Sequence, residues 1–328
     1  MGTPATDRPG RPTVIFDLGG VLLEHDPALA FATVMPVEDV PGFMLAIDYP
    51  AWHHQHDAGR TFAEGLSVLG STHPQHVEAA RALGKSFQTT LPGYVPGTGA
   101  VLAELDQAGV RLLGLTNFPD EPFDETYRRF GLLRRLEGVL VSGREGLAKP
   151  DPAIFGRLLE RWVVDPADAV FVDDRADNCA AAEQVGLTGV IFDCADGLRE
   201  RLVGLGLLGP RRPAPDRIWH IAEAEHWAEA VRTGRYPWST RGMTMLEQGY
   251  VHCSRTDQVD GVLNGCYSDL ARTDLVLLEI HPDRLASPVI SEDPSGRRDP
   301  RSEFPHIYGP LEPGAVVATH PVPSRQPR

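Results

Sequence analysis

Lysine is almost missing from this chain: of its 31 lysine and arginine residues, only Lys85 and Lys149 are lysine. Nearly every cation is an arginine, so a lysine kept at one place points to a need for a compact ammonium rather than a planar fork. Positive charge is scarce overall, with 45 acidic residues setting a formal net charge of −14. That balance excludes an extended nucleic-acid surface, although a phosphate pocket can still be locally basic. No basic stripe interleaved with aromatics is present. The four cysteines, Cys179, Cys194, Cys253 and Cys266, show no CxxC or other metal-ligand spacing. Reduced thiols and a cytoplasmic setting are the expectation. No apolar run is long enough to cross a bilayer, and residues 1–13, MGTPATDRPGRPT, lack the apolar centre of a secretion signal. Residues 1–11 are expected to form a disordered leader and 323–328 a tail.

What is present is ample for two folded bodies. At 328 residues with 42% hydrophobic content the chain exceeds a single typical core. Four fragments carry chemistry, in a fixed order: VIFDLGGVL at 14–22, LLGLTN ending at Asn117, AKPD around Lys149, and VFVDDRADN ending at Asn178. Each sets a phosphate- or metal-competent group just past an apolar strand, where an open parallel α/β sheet collects its active site. A carboxylate such as Asp17 can take up a phosphoryl group covalently, splitting one difficult displacement into two easier ones. Two anions must then approach, which calls for a cation. Asp17 with Asp173 and Asp174 offers the hard oxygen ligands that Mg²⁺ prefers. Lys149 adds a point charge, and Thr116 with the amides after Asp17 adds hydrogen bonds toward the developing charge. Asn178 suits capping or support of a neighbouring carboxylate better than metal ligation.

Together the four fragments resemble the haloacid dehalogenase superfamily, in the subfamily with a helical cap between the first and second motifs. The resemblance covers about residues 12–205 and implies a doubly wound parallel sheet of α/β class, with the cap at about 24–95. It implies Asp17 as nucleophile, Thr116 and Lys149 as phosphoryl clamps, and a Mg²⁺ site of Asp17, Asp173 and Asp174 with the Gly19 carbonyl. Leu18 and Asn117 are the implied substrate contacts. The implied activity is hydrolysis of a small phosphorylated metabolite, a sugar or nucleotide phosphate, through an aspartyl-phosphate, by a monomer or homodimer needing no nucleic acid or membrane.

One position departs from that pattern. Most phosphatases of the superfamily carry a second aspartate two residues after the nucleophile, and this chain has Gly19 there. A missing general acid typically costs about 10²–10⁴-fold in rate. Two alternatives stay open: a metal-independent 2-haloacid dehalogenase, whose halide leaves without a proton, and a degenerate ligand-binding scaffold. Against the dehalogenase, vicinal Asp173 and Asp174 beside a substrate carboxylate make sense only with a cation between them.

The block 27–89 reads as helices. Within it His53, His54 and His56 lack the i, i+4 spacing of a helical metal pair, so a solvated or substrate-facing helix is expected there. Alternating strands and helices follow, with helices at 99–108, 122–130, 152–162 and 178–185 and strands at 110–116, 138–141, 169–172 and 188–192. The Gly-, Pro- and Arg-rich stretch 206–215 reads as a linker. Beyond it the pattern is α+β, over about 216–322, with strands at 218–222, 249–254, 274–280 and 315–320. Its WHIAEAEHW, GYVHCS, LVLLEI and FPHIYGPL segments resemble domain of unknown function 952, thought to share the ADP-ribosyltransferase fold. That resemblance implies NAD or ADP-ribose as a ligand and His220, His252, His306 and Tyr308 as pocket residues. Read from the residues alone, a histidine amid apolar strand neighbours is more often a satisfied core group, and Glu279 fits a solvated strand face as well as a ribose contact.

Overall fold

The computed structural model describes residues 10–293 and 302–323. The expected leader and tail lie largely outside the described residues. The chain divides into two compact units: residues 1–95, 109–129 and 133–207 form the first, and 96–108, 130–132 and 208–328 the second. The helix Thr98–Ala108, which the alternating pattern assigns to the first body, thus belongs to the second.

In the first unit five parallel strands, β1 (Thr13–Phe16), β2 (Arg111–Thr116), β3 (Gly138–Val141), β4 (Ala169–Asp173) and β5 (Thr188–Ile191), take the order β3-β2-β1-β4-β5. Strand β1 is central, pairing with β2 on one side and β4 on the other. All four of its residues are buried, as expected for a parallel strand covered on both faces. Ile15, Leu113, Leu115, Leu140, Phe155 and Phe171 belong to one buried cluster that also includes side chains from the helices Pro152–Trp162 and Ala176–Gln184. The first of these helices starts sharply because Pro152 occupies its first turn and the Asp151 carboxylate accepts from the Ala153 amide at 2.9 Å.

Between β1 and β2 the chain forms the helical cap, including Tyr49–Asp57, Phe62–Thr72 and Val77–Lys85. Thr61 and Glu64 close a capping box at the second of these. The ladder of β1 ends at Phe16, and residues 18–23 form a tight loop. A helix Ala195–Gly204 follows β5, with the Cys194 sulfur accepting from the Gly197 amide; its weak periodicity hid it.

The second unit is antiparallel in all its sheets. Strands β6 (Ile218–Glu223), β10 (Leu275–Ile280) and β13 (Val316–Pro321) form one sheet in the order β13-β10-β6. Strands β9 (Val251–His252), β11 (Val289–Glu292) and β12 (Phe304–Ile307) form another in the order β11-β12-β9, and β7 (Trp238–Thr240) pairs with β8 (Met243–Thr244). The expected strand at 249–254 is real only at Val251–His252, since Gly249 ends the preceding helical turn at φ 98°. Strands β7, β8 and β11 carried too little alternation to be seen. No helix among the described residues is long and apolar enough to cross a membrane.

Candidate active site

Because all five strands of the first sheet run the same way, the residues that follow β1, β2 and β4 emerge at one edge. Asp17 follows β1, Thr116 and Asn117 close β2, and Asp173 ends β4 with Asp174 after it. The Asp17 amide donates to the Val172 carbonyl at 2.8 Å, which binds the ends of β1 and β4 together. Lys149 reaches this edge from the loop before Pro152 and is 2% exposed.

The Lys149 ammonium has three acceptors around one nitrogen. Its Nζ lies 2.9 Å from Asp17 Oδ1, 2.6 Å from Asp173 Oδ2 and 3.0 Å from the Leu115 carbonyl. Burial opposes that charge, yet Asp17 and Asp173 together hold the ammonium above the usual lysine value. Asn117 fixes the lysine's backbone, accepting from its amide at 2.8 Å and donating to its carbonyl at 2.9 Å. The Asn117 side chain is thereby engaged with protein. Leu18 behaves likewise, since its amide donates to Asp17 Oδ1 at 2.7 Å. Thr116 is 1% exposed at the end of β2.

Asp173 is held rigidly, with Asn178 Nδ2 donating to both its oxygens at 2.9 and 3.0 Å and the Arg175 amide donating at 2.9 Å. Asn178 therefore supports a carboxylate, as its position after β4 suggested. Asp17, Asp173 and Asp174 can each offer an oxygen within 4.8 Å of the others. Burial, with Asp173 adding to it against the opposing pull of Lys149, lifts Asp17 to about 7. Burial and Asp173 also raise Asp174. Three carboxylates thus face one ammonium, an excess of negative charge with hard oxygen donors that fits a small divalent cation.

Gly20, the second glycine of the VIFDLGGVL motif, makes this approach possible. It sits at φ +78°, and a Cβ there would lie 2.6 Å from Asp174 Oδ2. Gly19 is different: a Cβ at that position would meet only His25 Cβ, at 3.8 Å.

The cap contributes Tyr49 and Asp57, which sequence reasoning passed over, beside His53, which it named. Tyr49, His53 and Asp57 recur every fourth residue along the helix Tyr49–Asp57, so they share one face. Asp57 is 8% exposed, and burial together with Asp17 lifts its carboxyl to about 7, with Lys149 opposing. Of the two expectations for this helix, solvated or substrate-facing, the solvated one is corrected here. His54 is exposed, but His56 is fully buried with Nδ1 2.9 Å from the Arg60 carbonyl, and His53 is half-buried. The available signal was the spacing of His53 and Asp57, one turn apart, which is hidden if only histidines are counted.

In the second unit, the four candidate residues meet. His252 and His306 are cross-strand partners on β9 and β12, with ring centroids 4.9 Å apart. Tyr250 stacks on His306 at 4.0 Å, and Tyr308 donates to the Glu292 carboxylate that also engages His306 Nδ1 at 2.7 Å. His220 lies behind this group, 1% exposed, with Nδ1 2.7 Å from the His252 carbonyl and Nε2 2.7 Å from the Tyr236 hydroxyl. Both of its ring nitrogens are spent inside the core. Glu279 is likewise engaged, by Arg217 at 3.0 Å and His320 at 2.8 Å, instead of lining a solvated face.

Residues 12–186 match the family model described as haloacid dehalogenase-like hydrolase, and 221–319 match the one described as Protein of unknown function (DUF952). Sesquiterpene phosphatase astK of Aspergillus oryzae is 27% identical over 179 residues, 54% of this chain and 87% of that protein. Glyceraldehyde 3-phosphate phosphatase of Pyrococcus abyssi is 33% identical over 196 residues, 55% of this chain and 80% of that protein. Among solved structures, HAD family enzyme bt-2542 of Bacteroides thetaiotaomicron aligns with a TM-score of 0.48 at 20% identity, over 59% of this chain and 98% of that one.

Proposed function

The chain belongs to the haloacid dehalogenase-like hydrolases, and within them we propose a Mg²⁺-dependent phosphatase of small phosphorylated metabolites. The observation that carries this reading is the juxtaposition of Asp17, Lys149, Asp173 and Asp174 at the edge of the sheet. Asp17 attacks phosphorus as the bond to the leaving oxygen breaks, giving an aspartyl-phosphate that water then hydrolyses to inorganic phosphate. Lys149, its donors already committed, acts as a fixed positive charge that lowers the repulsion between Asp17 and the phosphoryl group. Thr116 presents a hydroxyl toward the phosphoryl oxygens. Asp17, Asp173, Asp174 and the Gly19 carbonyl are the groups that would hold Mg²⁺. When bound, the ion neutralises the carboxylate excess and polarises the phosphoryl oxygen.

The test is turnover of p-nitrophenyl phosphate with and without Mg²⁺, in the native chain and in Asp17→Asn. Mg²⁺-dependent turnover that vanishes in the variant supports the reading; metal-independent halide release from 2-haloacids, with no phosphatase activity, overturns it. For the second unit we propose an ADP-ribose-like ligand at the Tyr250, His252, His306 and Tyr308 group, as aromatic faces and imidazoles suit a nucleotide. Calorimetric titration of the full chain with NAD and ADP-ribose tests it, and the absence of heat at millimolar ligand overturns it.

A further inference from the structure

The core of this hydrolase has no side chain at Gly19 to protonate a leaving group, yet the space there is not remote from a carboxyl. A Cβ at Gly19 would point at His25, whose ring lies 6.4 Å from that of His53. His53 Nε2 in turn lies 3.6 Å from Asp57 Oδ1. The region that a conventional acid would fill is therefore bordered by the cap helix Tyr49–Asp57. That helix turns an unusual face inward. Tyr49 Oη, His53 Nδ1 and Asp57 Oδ1 are all buried and all lack a hydrogen-bond partner. Buried polar atoms are normally satisfied, because a donor or acceptor left without a partner keeps its full desolvation cost. Three on consecutive turns of one helix face mark a surface built to be completed by something else.

We propose that the Tyr49–His53–Asp57 face is the subsite for the leaving alcohol of a hydroxylated phosphate monoester, with Asp57 the catalytic residue that gives the departing oxygen its proton. This rests on the phosphatase reading above and deepens it. As the Asp17–phosphorus bond forms and the phosphorus–oxygen bond breaks, the proton passes from the Asp57 carboxyl to the leaving oxygen. In the second half the Asp57 carboxylate takes a proton from the water that attacks phosphorus, which restores the starting state. Tyr49 and His53 supply a hydroxyl and a ring nitrogen to further hydroxyls of the alcohol.

The groups facing Asp57 are consistent with such a role. Asp17 and Lys149 act on it from the core, His53 and Tyr49 lie along its own helix, and His25 stands beside His53 from the loop after β1. Burial, joined by the neighbouring histidines, lowers His53 to about 3, so its ring is neutral and does not hold Asp57 as an ion pair. Burial and Asp17 leave Asp57 near 7, where it can both give and accept a proton.

The experiment compares β-glycerophosphate, whose alkoxide needs a proton, with p-nitrophenyl phosphate, whose phenolate leaves without one. In Asp57→Asn the ratio of the two kcat values should fall by about 10²–10⁴-fold, the range of a lost general acid. Adding Gly19→Asp to Asp57→Asn should restore most of that ratio. An unchanged ratio in a variant whose circular dichroism matches the native chain overturns Asp57 as the acid. So does a native chain that hydrolyses p-nitrophenyl phosphate but not β-glycerophosphate, or that prefers an apolar alkyl phosphate over the hydroxylated one. Should Asp57→Asn fail to fold, Asp57→Ser replaces it with the same readout. Failure of the parent reading looks different: neither probe is then turned over in Mg²⁺.

Discussion

Acid should strike the two units unequally, and the histidines say by how much. In the second unit burial lowers His220 to about 4, and burial with the His306 and His220 charges lowers His252 to about 3. Both take up protons on unfolding near pH 6.5 but resist them while folded, so their contribution is complete above that pH and is lost as pH falls toward 4. In the first unit His53 and His56 do the same, at about 3 and about 4. There, however, Asp17 and Asp57 have the opposite sign. Burial lifts both to about 7, so their contribution is complete below the unfolded value of 3.8 and is lost as pH rises through 7. Near pH 5 the two histidines and two carboxyls of the first unit cancel, two protons against two. The second unit keeps its two uncancelled protons, a slope of about 2.7 kcal/mol per pH unit at about 1.36 kcal/mol per proton.

The assay is hydrogen exchange followed by mass spectrometry in a chelating buffer, comparing peptides from β2 and β10 at pH 7 and pH 5 after correction for intrinsic rates. Protection of β10 should drop by orders of magnitude while that of β2 changes little. Equal loss in both strands, or a second unit indifferent to acid, would refute the assignment of His220 and His252 as buried neutral groups. His220→Asn should flatten the slope of the second unit by about one proton, or roughly 1.4 kcal/mol per pH unit.

Gly20→Ala should cost about 1–2 kcal/mol for its left-handed backbone and raise the Mg²⁺ concentration for half-maximal turnover about 10–100-fold as Asp174 is pushed aside; Gly19→Ala should do neither, and metal titrations of both variants check it. Asp17→Asn should abolish turnover with the thermal midpoint kept, whereas Asp174→Asn should chiefly weaken the Mg²⁺ response, both read from initial rates. Lys149→Arg keeps the charge but should lose at least about a hundredfold in kcat, since a planar fork does not replace a point charge at this site. Native-like kcat in that variant would mean that charge alone suffices.

Most of the first unit was legible because a parallel sheet buried on both faces writes its strands as plain apolar runs. VIF, LLGL and AVFV each end one residue before a side chain that the site uses, namely Asp17, Thr116 and Asp173. Less legible were features fixed by pairing over long distances. The helix Thr98–Ala108 has the alternation of a Rossmann helix, but seven of its eleven residues are buried and periodicity does not say against which body. In the second unit β9 is two residues long and β7 three. Such pieces exist because a neighbouring strand supplies the ladder, and a short window carries no trace of that partner.

The site divides along the same line. Lys149 stood out because it is a lysine in a chain that otherwise writes arginine, and the structure gives the physical reason. Three acceptors converge on one nitrogen in a pocket with 2% exposure. A tetrahedral ammonium has three donors to meet three acceptors, whereas a guanidinium spreads its five over a plane. Asp57 carried no such mark. It is one carboxylate among 45 acidic residues, in a helix whose histidines drew attention by number while the useful relation was the turn from His53 to Asp57. Its environment comes from the fold, which brings a cap helix 40 residues further along the chain within the electrostatic reach of Asp17. A motif is visible in sequence when one strand end creates it. A proton donor lent by a second element is visible only once the chain has closed.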